Sequence, residues 1–128
     1  MKKALILVLY CLLIIFTIVL ADLGRLPLHL LYRIPHYDKA AHLVVYGLLY
    51  GLLDSVLKKR AISVLNRSFS VAFIITAALI TAEEFSQLLI PSRTFSLADL
   101  LMGFIGIFIS SHIHRGVLTA VLKKFEPL

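Results

Sequence analysis

The chain has 128 residues, 60% of them hydrophobic, with a mean hydropathy of +0.97 and a formal net charge of +6. So much apolar surface cannot be hidden inside a soluble domain of this size, which excludes an ordinary globular enzyme and predicts an integral membrane protein. The positive charge calls for no nucleic acid, because the basic residues sit in short groups flanking apolar runs, where topology and anionic lipid account for them.

A spanning helix needs about 20 apolar residues. Such stretches occur at 4–21, 40–57, 69–90 and 97–113, and they predict an all-α fold, an integral membrane bundle of four transmembrane helices making one domain over 1–128. The first stretch follows Met1-Lys2-Lys3 and outruns the roughly 7–15 residues of a signal-peptide core, so an uncleaved helix is expected. Within it Cys11 is the single cysteine, which leaves no intrachain disulfide and suits a packing role. In a four-span arrangement Lys2, Lys3, Lys58, Lys59, Arg60, Arg67, Arg115, Lys123 and Lys124 fall on one side. Only Arg25, Arg33, Lys39 and Arg93 fall on the other, which predicts both termini and the 58–68 loop in the cytoplasm.

The outward loops are then 22–39 and 91–96. In the first, apolar residues are broken by Arg25, His29 and Arg33, with Pro27 and Pro35 as start and stop signals, and it reads as a short interfacial segment between the first two helices. The second helix opens with Asp38-Lys39-Ala40-Ala41-His42. A spacing of four puts Asp38 and His42 on one face, continued by Tyr46 and Tyr50. A carboxylate one turn above an imidazole can orient the ring and hold its proton; the plainer alternative is a helix cap at Asp38 with His42 and the tyrosines in an interfacial aromatic belt.

In the third stretch Glu84 and Gln87 share a face, while Glu83 points about 100° away and reads either as a second site residue or as an acid snorkelling to the interface. At about 1.5 Å of rise per residue Glu84 lies roughly 10 Å below Pro91, where hydrocarbon requires it to be protonated, paired with a cation or open to a water-filled cleft. Arg93 is the only cation in the turn that follows, and its planar fork suits a carboxylate or a phosphate. Either a ligand or a salt bridge to Asp99 or Glu84 fits that position. Ser96 or Asp99 can cap the fourth helix, and Gly103, Gly106 and Ser110 make a small-residue strip for close helix approach.

The ordered set Asp38-Lys-x-x-His42 with Tyr46, Glu84-x-x-Gln87, Pro91-x-Arg93, Asp99 and Gly106 resembles the VanZ-like membrane protein family. That family's pattern commonly has Gly before the arginine and Asn four residues after the aspartate, where this chain has Ser92 and Gly103. The resemblance implies a small, multi-pass protein of the bacterial cytoplasmic membrane, in a family whose namesake is associated with resistance to the lipid-tailed glycopeptide teicoplanin.

The resulting expectation is an outward-facing polar site that binds or modifies the headgroup of an envelope lipid or lipid-linked glycan. Whether the site is catalytic is left open; if it is, His42, oriented by Asp38, would serve as base and Glu84 as acid or second base, with Arg93, Gln87, Asp99 and Tyr46 on the binding side. The rival is a structural or partner-binding protein whose polar residues pair only with one another. No metal ligand set is assigned and the cofactor is left open, although the mixed oxygen and nitrogen donors of Asp38, His42, Glu84 and Asp99 suit zinc or manganese. Whether copies of the chain associate is equally open. His112 and His114 stand two residues apart and face different directions, which argues against a metal pair.

Overall fold

The apolar runs become helices in a computed structural model that describes residues 2–27 and 33–125, with 114–125 as backbone. In chain order they are α1 (Lys2–Asp22), α2 (Tyr37–Val56), an antiparallel hairpin of β1 (Ala61–Val64) and β2 (Arg67–Ser70), α3 (Val71–Ser86) with a 3₁₀ turn over Gln87–Leu89, and α4 (Leu97–Phe125). The chain is mostly helical, as expected of an all-α protein. Among the described residues two helical segments, Lys2–Asp22 and Val71–Leu89, are long and apolar enough to cross a membrane, while the apolar part of α4, Leu97–Ile113, is shorter. The core of the interfacial reading, 28–32 with His29, lies outside the described residues, as does the side chain of His114.

The third apolar run ends earlier as an α-helix than its hydrophobicity suggests. Pro91 disfavours helical backbone at the residue before it. Ile90 is accordingly extended (φ −114°, ψ 113°), and the preceding residues tighten into the 3₁₀ turn. The hairpin is an addition to the loop expected over 58–68. Its register pairs Ala61 with Ser70 and Val64 with Arg67, so Leu65 and Asn66 form a two-residue turn, both at positive φ (48° and 60°), as a tight hairpin with the native twist requires.

Packing centres on α2 and α4. Gly47 and Gly106 let the two backbones approach: a Cβ on Gly106 would run into the carbonyl oxygen of Leu43, and one on Gly47 would come within 3.0 Å of the Gly106 carbonyl oxygen. The small-residue strip therefore does the packing work expected of it. At Gly103 a Cβ would collide with the Ile80 side chain, so the asparagine of the family pattern has no room unless Ile80 moves. Tyr46, Leu49, Tyr50, Ala72, Ile80 and Ile107 form the buried core.

Helix α1 differs from the others, having no buried residue at all. Leu7, Tyr10, Cys11 and Ile14, one stripe at helical spacing, pack on that core, and the Tyr10 hydroxyl donates to the Val45 carbonyl at 3.0 Å. On its other faces Leu9, Leu13 and Phe16 are more than half exposed.

Candidate functional site

Asp22 at the end of α1, Asp38 at the start of α2, Glu83 and Glu84 at the end of α3, and Asp99 at the start of α4 all come to one end of the bundle. Two of them are favoured by the dipole of α4. Its first turn is capped by Ser96, whose hydroxyl accepts from the Asp99 amide at 3.3 Å, while Glu84 Oε1 accepts the Ser96 amide proton at 2.6 Å. That contact lets the Glu84 side chain sit with no exposed surface.

Glu83 and Glu84 are joined rather than separated by their 100° offset. Gln87, four residues beyond one and three beyond the other, donates through Nε2 to Glu83 Oε1 at 2.8 Å and to Glu84 Oε2 at 3.3 Å. His42 Nε2 faces both acids, 3.4 Å from Glu83 Oε2 and 3.5 Å from Glu84 Oε2. Tyr46, one turn deeper, stacks on the His42 ring with centroids 5.9 Å apart.

The expected contact between the Asp38 carboxylate and the His42 ring is not formed. His42 Nδ1 instead lies 3.0 Å from the backbone carbonyl oxygen of Asp38, because helical side chains lean back toward the preceding turn and place the ring over that carbonyl. The Asp38 side chain turns to the Lys39 ammonium at 3.3 Å. Nor does Asp38 cap the helix: His36 occupies the N-cap position in left-handed backbone (φ 56°), and Asp38 lies in the first turn, where the dipole favours it. Slight burial pushes the Asp38 carboxyl up, but hydrogen bonds from the Lys39 backbone and ammonium outweigh it and hold the group below the usual carboxylate range.

Arg93 bridges two elements. Nη1 donates to Asp22 Oδ1 at 3.3 Å and Nη2 to Glu83 Oε1 at 3.2 Å, while Ser92 Oγ donates to the Asp22 carbonyl at 2.7 Å. Its partners are therefore neither Asp99 nor Glu84, and its fork already holds two carboxylates. Asp22 and the central place of Glu83 escaped the sequence reading. Asp22 did leave a signal, since an acid at a helix C-terminus opposes the dipole and calls for a cation nearby.

Asp99 is 7% exposed, and its Oδ1 has no hydrogen-bond partner; the Lys39 ammonium lies 3.7 Å from it, near enough for charge attraction and too far for a hydrogen bond. A cavity of about 420 Å³ opens beside this cluster. Ile14 and Ile18 of α1 and Val45 of α2 contribute apolar wall, and His42, Glu83 and Arg93 contribute polar wall.

No family model, curated protein or solved structure matches the chain.

The site's chemistry therefore rests on its geometry. Asp38, His42, Tyr46, Glu84, Gln87, Arg93 and Asp99 are gathered at one end of the helices, with Asp22 and Glu83 added. Among the described residues, five carboxylates meet two permanent cations, Lys39 and Arg93. The arrangement can hold a proton or a cation between His42 Nε2 and the two glutamates, and it presents an apolar wall beside that charge.

Proposed function

We propose that the chain is a four-span protein of the bacterial cytoplasmic membrane, both termini inside, whose polar end faces outward and binds the headgroup of an envelope lipid or lipid-linked glycan. The cavity carries this reading: an amphiphile needs apolar wall for its chain and polar groups for its head, and Ile14, Ile18 and Val45 lie opposite His42, Glu83 and Arg93 around one space. The nine-to-four distribution of basic residues supports the orientation. The rival, a bundle whose polar residues serve only each other, predicts neither a cleft nor a buried carboxylate oxygen without a hydrogen bond. The cavity and Asp99 Oδ1 favour binding over it. On this reading Arg93 acts chiefly by holding Glu83 and tying the 91–96 turn to α1, and the resemblance to the VanZ-like family connects the headgroup to glycopeptide engagement at the cell surface.

The test uses Glu84→Gln, which keeps shape and removes ionisation, and Arg93→Lys, which keeps charge and loses the two-armed bridge. Each is expressed in a host lacking the protein, and teicoplanin susceptibility is measured beside membrane abundance. Loss of the protein's effect on susceptibility at normal abundance is expected. Full effect from both variants at normal abundance contradicts the proposal, and an effect falling only in step with abundance favours the structural rival.

A further inference from the structure

In the nook between α2 and α3 the His42 ring meets two carboxylates at the long limit of hydrogen bonding. His42 Nδ1 lies 3.0 Å from the Asp38 carbonyl oxygen, and a carbonyl oxygen can only accept, so Nδ1 carries a proton. In the neutral ring Nε2 is then a bare lone pair, yet it points at two carboxylate oxygens, 3.4 Å and 3.5 Å away. Lone pairs facing carboxylates repel. A proton on Nε2 would relieve this through a long hydrogen bond to Glu83 Oε2 at 3.4 Å, although charge-assisted N–H to carboxylate bonds usually close to about 2.7–2.9 Å, shorter than both distances here. They match a different object. Donors held at about 2.0–2.2 Å around a tetrahedral zinc ion stand roughly 3.3–3.6 Å from one another.

We propose that His42 Nε2, Glu83 Oε2 and Glu84 Oε2 form a divalent-cation site for zinc or manganese, with a further coordination position opening into the cavity. The three donor atoms lie within 4.8 Å of one another. Each is oriented by a second contact, as ligands of a metal site generally are. The Asp38 carbonyl fixes the His42 tautomer that leaves Nε2 free to bind, Gln87 and Arg93 hold the other oxygen of Glu83, and the Ser96 amide holds the other oxygen of Glu84.

Two observations outside the triad point to a missing positive charge. Asp99 lines the same cavity, 7% exposed, with Oδ1 lacking a hydrogen-bond partner and only the Lys39 ammonium, 3.7 Å away, to offset its charge among the described residues. Among the described residues five carboxylates also face two permanent cations, and Arg93 is already divided between Asp22 and Glu83. A dication offsets most of that excess, and one nitrogen with two oxygen donors suits zinc or manganese better than magnesium or calcium. The open position gives the site a way to engage an oxygen of a bound molecule. The ion stands independently of the headgroup reading, since its uptake is measured on the purified chain with no lipid ligand added.

The full chain is purified in detergent micelles, stripped with a chelator and titrated separately with zinc and with manganese chloride against a chromogenic competitor, with bound metal counted by elemental analysis. One ion per chain is expected for at least one of the two metals. His42→Gln and Glu84→Gln should each bind at least tenfold more weakly, while His112→Ala, on an exposed face of α4, should bind as the unchanged chain does. Gln87→Ala, which removes an orienting contact, is expected to weaken binding by about 10- to 100-fold. Because a variant in this cluster can fail to fold, the unchanged chain is also loaded with cobalt(II) and its visible spectrum recorded. Intense bands of a four- or five-coordinate site are expected. The proposal is overturned if neither zinc nor manganese is retained, if cobalt gives only the weak spectrum of its hexaaqua ion, or if folded His42→Gln binds as tightly as the unchanged chain.

Discussion

At one end of the helices Asp22, Asp38, Glu83, Glu84 and Asp99 are drawn together with Lys39, His42 and Arg93, each at least partly buried; at the other end Lys58, Lys59, Arg60 and Arg67 all stand exposed around a two-stranded hairpin. The same chain thus handles charge in two ways. At the hairpin end the polar link between elements is short: the Ser70 hydroxyl donates to buried Asp54 at 3.2 Å and accepts from the Phe73 amide at 3.4 Å, capping α3. The exposed lysines and arginines need no partner there, and their value in the proposed topology is electrostatic bias toward the cytoplasm. At the polar end no group is satisfied without several others. Desolvation makes such buried ionic clusters poor stabilisers compared with apolar packing, so their presence points toward a task other than stability.

That contrast predicts very different responses to truncation. Glu83→Ala removes the acid shared by Arg93, Gln87 and His42 and leaves partly buried charge unpaired, which should cost about 3–5 kcal/mol. Ser70→Ala at the hairpin end removes one cap and one hydrogen bond, and about 1–2 kcal/mol is expected. Thermal melting of the purified variants in one detergent checks both. Equal losses would erase the distinction between the ends.

The helices were legible because four long apolar runs admit little else, and Asp38, His42, Glu84, Gln87, Arg93 and Asp99 stood out because hydrocarbon makes an ionisable residue conspicuous. The hairpin was not. Its strands are four residues each, too short for alternation to emerge, and its turn is Leu65-Asn66 instead of a glycine-containing pair. Pairing within the site was only partly readable. Helical phase correctly put Gln87 beside Glu84 but separated Glu83, whose side chain is long enough to swing back to Gln87 and His42. Phase likewise aligned Asp38 with His42 without revealing that the backbone carbonyl, not the carboxylate, would meet the ring. The Asp22 to Arg93 bridge spans 71 residues of sequence, beyond the reach of any local pattern.

The central claim is that the two ends lie on opposite sides of a membrane, the ionic end outward. Ser92, at the polar end, and Ser63, on β1, are both exposed and serve as reporters. In a Cys11→Ala background, Ser92→Cys and Ser63→Cys are each treated in intact cells with a membrane-impermeant maleimide, then again after lysis. The account predicts that Ser92→Cys reacts from outside and Ser63→Cys reacts only after lysis. Labelling of Ser63→Cys in intact cells with Ser92→Cys protected would contradict it, and the outward-facing site would fall with the topology.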